Sequence, residues 1–98
     1  MKNTSVPAEV GATIAFETDR QYHPTKPQIV ECKVIEVDLD RAVVIVYFYD
    51  RVRMIAGILN ILKFDEDDIT AQDILDSYDA GGYYYLTSQQ IIEHFGSV

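Results

Sequence analysis

Cysteine is almost missing from this chain. With Cys32 alone among 98 residues, no internal disulfide can form and no cysteine-rich zinc site can be assembled. A protein without disulfides suits a reducing compartment, and a cytoplasmic location is the expectation. Basic residues are also scarce. Eight Lys and Arg stand against sixteen Asp and Glu, for a net charge of −8. That balance disfavours direct contact with nucleic acid or an anionic membrane surface, since both need a basic face. Long apolar runs are missing too. None approaches the roughly 20 residues that span a bilayer, so no membrane partner is expected. The first ten residues, MKNTSVPAEV, lack the apolar centre of a signal peptide. No linker or low-complexity stretch divides residues 1–98, which are read as a single domain. Within it, 1–10 reads as a loose arm, 11–64 as mainly β and 65–98 as mainly α.

The shortage of positive charge is uneven. Residues 1–53 carry eight acids and seven bases, whereas residues 54–98 carry eight acids and only Lys63. The acidic field therefore belongs to the C-terminal half.

Around this deficit one stretch dominates, Ala42 to Tyr49 (AVVIVYFY). Its length and β-branched content predict a strand. Alternation puts Ala42, Val44, Val46 and Phe48 on one side and Val43, Ile45, Tyr47 and Tyr49 on the other. Neither side is polar, which predicts a central strand covered twice, by a helix on one face and by a curled sheet or second subunit on the other. A first strand is expected over Ala12–Thr18, with Ala12, Ile14 and Phe16 inward. Asp19 to Gln28 holds two prolines and reads as a loop. Over Ile29–Leu39 the apolar phase changes, from Val30, Cys32 and Val34 to Ile35, Val37 and Leu39. A one-residue phase change predicts a bulge near Val34–Ile35. Asp38–Arg41 then turns into the central strand. Val52–Leu59 is read as a further hairpin strand, with Ile61–Phe64 leaving the sheet; a helix with the stripe Met54, Ile55, Ile58, Leu59 and Leu62 is the alternative for 52–64.

Helix signals are concentrated in the last third. Thr70 is an N-cap with Ile69 and Ile74 as a hydrophobic staple, and Ala71, Ile74, Leu75 and Tyr78 form the apolar stripe. Asp68 and Asp73 suit the positive helix start. Thr87 repeats this arrangement with Leu86, Ile91 and Gln90, and Ile91, Ile92 and Phe95 are expected to be buried. Gly96 ends that helix.

Few residues carry chemistry. LTSQQIIEHFG resembles the first helix of a helix-turn-helix unit, but it offers no Lys or Arg to phosphates. YFYDRVRMIAGILNI resembles a hairpin of the chemoreceptor glutamine deamidases. Asn60 stands near that family's histidine and no cysteine lies in 42–49, so no catalytic residue transfers. Cys32, His23 and His94 are the only thiol and imidazole groups from which a nucleophile–base pair could be built. A cysteine among valines is ordinarily a small buried hydrophobe. Asp65–Glu66–Asp67–Asp68 lacks the alternation and central glycine of a calcium loop. No catalytic residue, metal site or cofactor is expected. Tyrosine is the distinctive side chain, and Tyr47, Tyr49, Tyr78, Tyr83, Tyr84 and Tyr85 are the candidate interface or ligand residues, because a ring with a polar tip suits both. Asp65, Glu66, Asp67, Asp68, Asp76 and Asp79 form the candidate acidic surface toward a cationic partner.

The expected fold is α+β: a bent antiparallel sheet or partly open small barrel of three to four strands, with two C-terminal helices packed on it. The leading functional expectation is a small, acidic, non-catalytic interaction protein that forms a homodimer. A small-molecule binder or enzyme with a pocket between sheet and helices is the alternative. An acidic mimic of nucleic acid that inhibits a basic protein is the third reading.

Overall fold

The computed structural model describes residues 5–18, 28–51, 54–64, 67–80 and 83–96. It is α+β. In chain order the elements are β1 (Ser5–Val6), β2 (Thr13–Thr18), β3 (Gln28–Asp38), β4 (Val43–Asp50), β5 (Ile55–Leu62), β6 (Ile69–Thr70), α1 (Ala71–Asp79), β7 (Tyr83–Tyr85) and α2 (Ser88–Phe95). The main sheet is antiparallel and open, in the order β2-β3-β4-β5-β7, and β1 pairs with β6 in a small second sheet. The main sheet thus has five strands rather than three or four, and it does not close.

β4 is central because both its faces are apolar, and β3 and β5 pair along its length. One face carries Val44, Val46 and Phe48. It meets Ile14 and Phe16 of β2, Val30, Cys32 and Val34 of β3, Leu59 and Ile61 of β5, and Ala71 and Ile74 of α1 in the larger core. Tyr49 and Ala56 line the opposite face and form a second, smaller core with Leu86 and Ile91, against which Tyr47, Ile58 and Phe95 pack. The two helices therefore cover opposite faces. A helix supplies the second cover where a curled sheet or a second subunit was expected, and it covers one end only.

The bulge falls between Val34 and Glu36, where the β3–β4 register slips by one residue. It returns Val37 to the larger core and turns Glu36 and Asp38 toward the other face. Without it, alternation would aim both carboxylates at the core. The β3–β4 connection places Ala42 at φ 56°, a left-handed conformation compatible with a residue following a tight turn.

Both helix starts match their sequence signals. Thr70 Oγ1 accepts from the Asp73 amide at 3.1 Å and Asp73 Oδ2 accepts from the Thr70 amide at 3.0 Å. Thr87 Oγ1 accepts from the Gln90 amide at 3.2 Å, and Gln90 Oε1 accepts from the Thr87 amide at 2.9 Å. These reciprocal bonds satisfy donors that a helix start leaves open. Gly96 closes α2 in the left-handed region, at φ 88°.

Several expectations differ from the structure. β5 begins at Ile55, after Met54 at φ 58°, rather than at Val52. Ser5–Val6 is no loose arm: it pairs with Ile69–Thr70, and Val6 joins the larger core. Ile61 and Leu62 stay in β5, opposite Val44 and Val43, instead of leaving the sheet. Ile92 is 53% exposed. It lies about 100° around the helix from Ile91, whose staple with Leu86 fixes the inward direction. No helix among the described residues is long and apolar enough to cross a membrane.

Candidate functional site

The six candidate tyrosines fall into three environments. Tyr49 is only 1% exposed beneath α2, where it meets Phe95 at a ring separation of 5.8 Å. Tyr47 is half-buried beside it and meets His94 edge-on at 5.0 Å. α2 covers Tyr49 and leaves Tyr47 partly exposed. On the opposite face, Tyr78 and Tyr83 stack at 5.2 Å, and each meets Phe48 edge-on, at 5.4 and 5.3 Å. Tyr85 meets Tyr83 edge-on at 5.5 Å. This cluster rests on Gly57, whose missing side chain admits the Phe48 and Tyr83 rings. Desolvation, reinforced by hydrogen bonds with Tyr85 and Tyr78, pushes the Tyr83 phenol up to about 12. Tyr84 stands apart, opposite Ile58 on the α2 face and 70% exposed.

The acidic set is dispersed as well. Asp67 and Asp68 are exposed before β6, where Asp68 accepts from the Ser5 hydroxyl at 3.4 Å. Asp76 is exposed on α1 and accepts from Gln72 Nε2 at 2.8 Å. Asp79 ends α1. Asp65, Glu66 and His23 lie outside the described residues. Among the described residues no three His, Cys, Asp or Glu side chains gather as metal ligands.

Cys32 faces the larger core, 2% exposed. Burial pushes its thiol up, with a smaller contribution from Glu31, which is the reverse of thiol activation. His94 lies on the α2 side of the sheet, so the two do not form a nucleophile–base pair.

Two places not foreseen from sequence emerge. One is a cleft of about 290 Å³ on the α2 face, bounded by Thr13 and Ala15 of β2, Glu31 and Lys33 of β3, and His94 and Phe95 of α2. Arg51 ties together two of its walls, Glu31 and Phe95. Its guanidinium bonds Glu31, donates to the Phe95 carbonyl at 2.9 Å and sits 4.8 Å from the Tyr49 ring centroid. The bond to Glu31 holds its charge more firmly still. His94 Nδ1 is buried without a partner among the described residues. Glu31 and Lys33 alternate with Cys32, so strand parity alone could have put them beside Tyr47 and Tyr49.

The other is the half of the same face that no helix covers among the described residues. Beyond α2, the cross-strand rows are Glu36–Ile45–Asn60 and Asp38–Val43–Leu62. Ile45 and Val43 are partly exposed and Leu62 is 73% exposed. No family model, curated protein or solved structure matches this chain.

Proposed function

We propose that this is a non-catalytic interaction protein that self-associates through the uncovered half of its α2-side sheet face. The supporting observation is the apolar row of Val43, Ile45 and Leu62, with Tyr84 exposed on the same face. Solvated apolar surface on a small domain favours association, and a symmetric pair is the usual closed solution. Charge agrees with this choice. Along β3 the face carries Lys33 at one end and Glu36 and Asp38 at the other. A two-fold axis across the strands would bring the cation of each copy toward the carboxylates of its mate. The acidic helix α1 covers the opposite face and would not confront itself.

Native mass spectrometry, with light scattering at micromolar protein, tests this reading. A dimer that becomes monomeric in Ile45→Lys and Leu62→Lys is the expected result. A monomer in the unaltered protein refutes self-association, and a dimer indifferent to both substitutions refutes this surface. The second reading, a small-molecule site in the cleft by α2, is favoured by the unpartnered His94 Nδ1. It would show in the same spectrum as a retained non-protein mass.

A further inference from the structure

β5 is longer than the strand that flanks it. β7 pairs only with Gly57, Ile58 and Leu59, so among the described residues Asn60–Leu62 have no strand neighbour on that side. Antiparallel alternation determines which groups face this open edge. The Ala56 carbonyl accepts from the Leu86 amide, and the Asn60 carbonyl accepts from the Ser77 hydroxyl at 3.3 Å. The Lys63 amide donates the other way, to the Ala42 carbonyl at the start of β4. Odd-numbered positions of β5 thus turn their backbone groups toward β4, and even-numbered ones turn theirs away. The Asn60 amide and both backbone groups of Leu62 are directed away from β4, with no backbone partner among the described residues.

An open edge is a template for another extended chain. Here it borders a groove of about 360 Å³ between β5 and α1, walled by Ile61, Leu62, Asp73, Asp76 and Ser77. Neither Asp73 nor Asp76 has an ion-pair partner among the described residues. The last turn of α1 carries no basic residue. Lys63 is the only Lys or Arg in residues 54–98. A chain entering this groove meets main-chain donors and acceptors on one wall and carboxylates on the other.

We propose that the open edge of β5 at Asn60–Leu62 binds an extended, basic peptide segment of a partner protein by strand addition. The segment's main chain pairs with the outward groups of Asn60 and Leu62. Its Lys or Arg side chains at alternate positions reach Asp73 and Asp76, and the intervening apolar side chains lie along Leu62. This inference does not rest on self-association, although the two surfaces adjoin at Leu62, whose side chain lies on the sheet face and whose backbone lies on the edge.

The test uses the full chain and a fluorescein-labelled, end-capped Lys-Val-Lys-Val-Lys-Val-Lys peptide, followed by anisotropy and by amide chemical shifts. Saturable binding that weakens with salt, and shifts centred on Asn60–Leu62, are expected. The same peptide N-methylated at every backbone nitrogen keeps its charge but cannot pair as a strand through either edge. It should bind about tenfold more weakly, because no N–H remains for the Leu62 carbonyl and the methyl groups keep the peptide backbone off the edge. Asp76→Asn should weaken the parent peptide by about threefold without disturbing the fold, since Asp76 is exposed. Equal binding of the N-methylated peptide would reduce the contact to non-specific charge attraction and overturn the proposal. Shifts confined to Tyr84 and Tyr85, or equal binding of a Glu-Val counterpart, would overturn it as well. A dimer that binds no peptide defeats this inference alone, and a monomer that binds it defeats only the self-association reading.

Discussion

Substituting Gly57 by alanine should disrupt the aromatic cluster at its base. A Cβ there would lie 2.6 Å from Tyr83 Cδ2, 2.7 Å from Phe48 Cε1 and 2.9 Å from the Tyr84 carbonyl oxygen. Ordinary carbon contacts are about 3.5–4.0 Å, so two rings and one strand must each yield by roughly an ångström. Little room exists for that. Phe48 is buried between Tyr78 and Tyr83, and Tyr83 is stacked on Tyr78. The third atom belongs to the backbone of β7, which is hydrogen-bonded to β5. Overpacking of a tight site costs about 1–3 kcal/mol. Replacing glycine within a strand recovers about 0.5–1 kcal/mol of that. The net loss should be about 1–2 kcal/mol, or a fall in Tm of about 10 °C for a domain of this size. Urea unfolding followed by circular dichroism measures it directly. A companion cycle with Tyr83→Ala identifies the cause. Once that ring is gone, Gly57→Ala should cost at least about 0.5 kcal/mol less, the lower end of coupling between contacting residues. A variant within about 0.5 kcal/mol of the parent, the range of an innocuous surface change, would refute the steric argument. Strict additivity would refute the role given to Tyr83.

Two further outcomes follow from titratable groups in apolar surroundings. The folded state holds the Tyr83 phenol protonated up to about 12, against an ordinary value of 10.0, so it binds more protons than the unfolded chain between those limits. Its contribution is fully present below pH 10 and is lost as pH rises toward 12; urea midpoints at pH 9 and 11.5 should show a decline that Tyr83→Phe reduces. Cys32 should react with thiol reagents far more slowly in the native state than in urea, because its thiol is both buried and pushed up. Rapid labelling of native protein at neutral pH would contradict its placement in the core.

Much of the local structure is legible in the sequence because its signals are short-range. Thr70 and Thr87 announce helix starts through partners three residues away, and both capping boxes form. The phase change after Val34 marks the bulge, since one extra residue is enough to reverse strand parity. The differences lie where long-range pairing decides. Ser5–Val6 is too short to show a period, and only its partner Ile69–Thr70 makes it a strand. Composition ends β5 too early, because register with Val43 and Val44 carries it to Leu62. Residue type and sequence proximity group the tyrosines together. Alternation and opposite-face helices instead separate Tyr49, Tyr83 and Tyr84. Nothing in the helix stripes says which face of the sheet each will choose, so the bare half-face and the cleft beside α2 are not written in them.

The placement of α1 and α2 on opposite faces turns the main sheet into a partition. On one side lies a compartment built from parts of β1 through β6 and α1, and on the other a small one closed by a single short helix. The hydrogen-bonded backbone between them belongs to both, but their side chains do not mix. Detaching α2 would uncover Tyr49, Ala56 and Leu86 while leaving the packing around Val44, Val46 and Leu59 intact. Few contacts hold the small compartment, so its opening belongs among local fluctuations rather than global unfolding. Arg51, tied to Glu31 and to the last turn of α2, is the clasp on that door. Loss of α2 alone would therefore expose Tyr49 on the face that carries Val43, Ile45 and Leu62, with the larger core still closed.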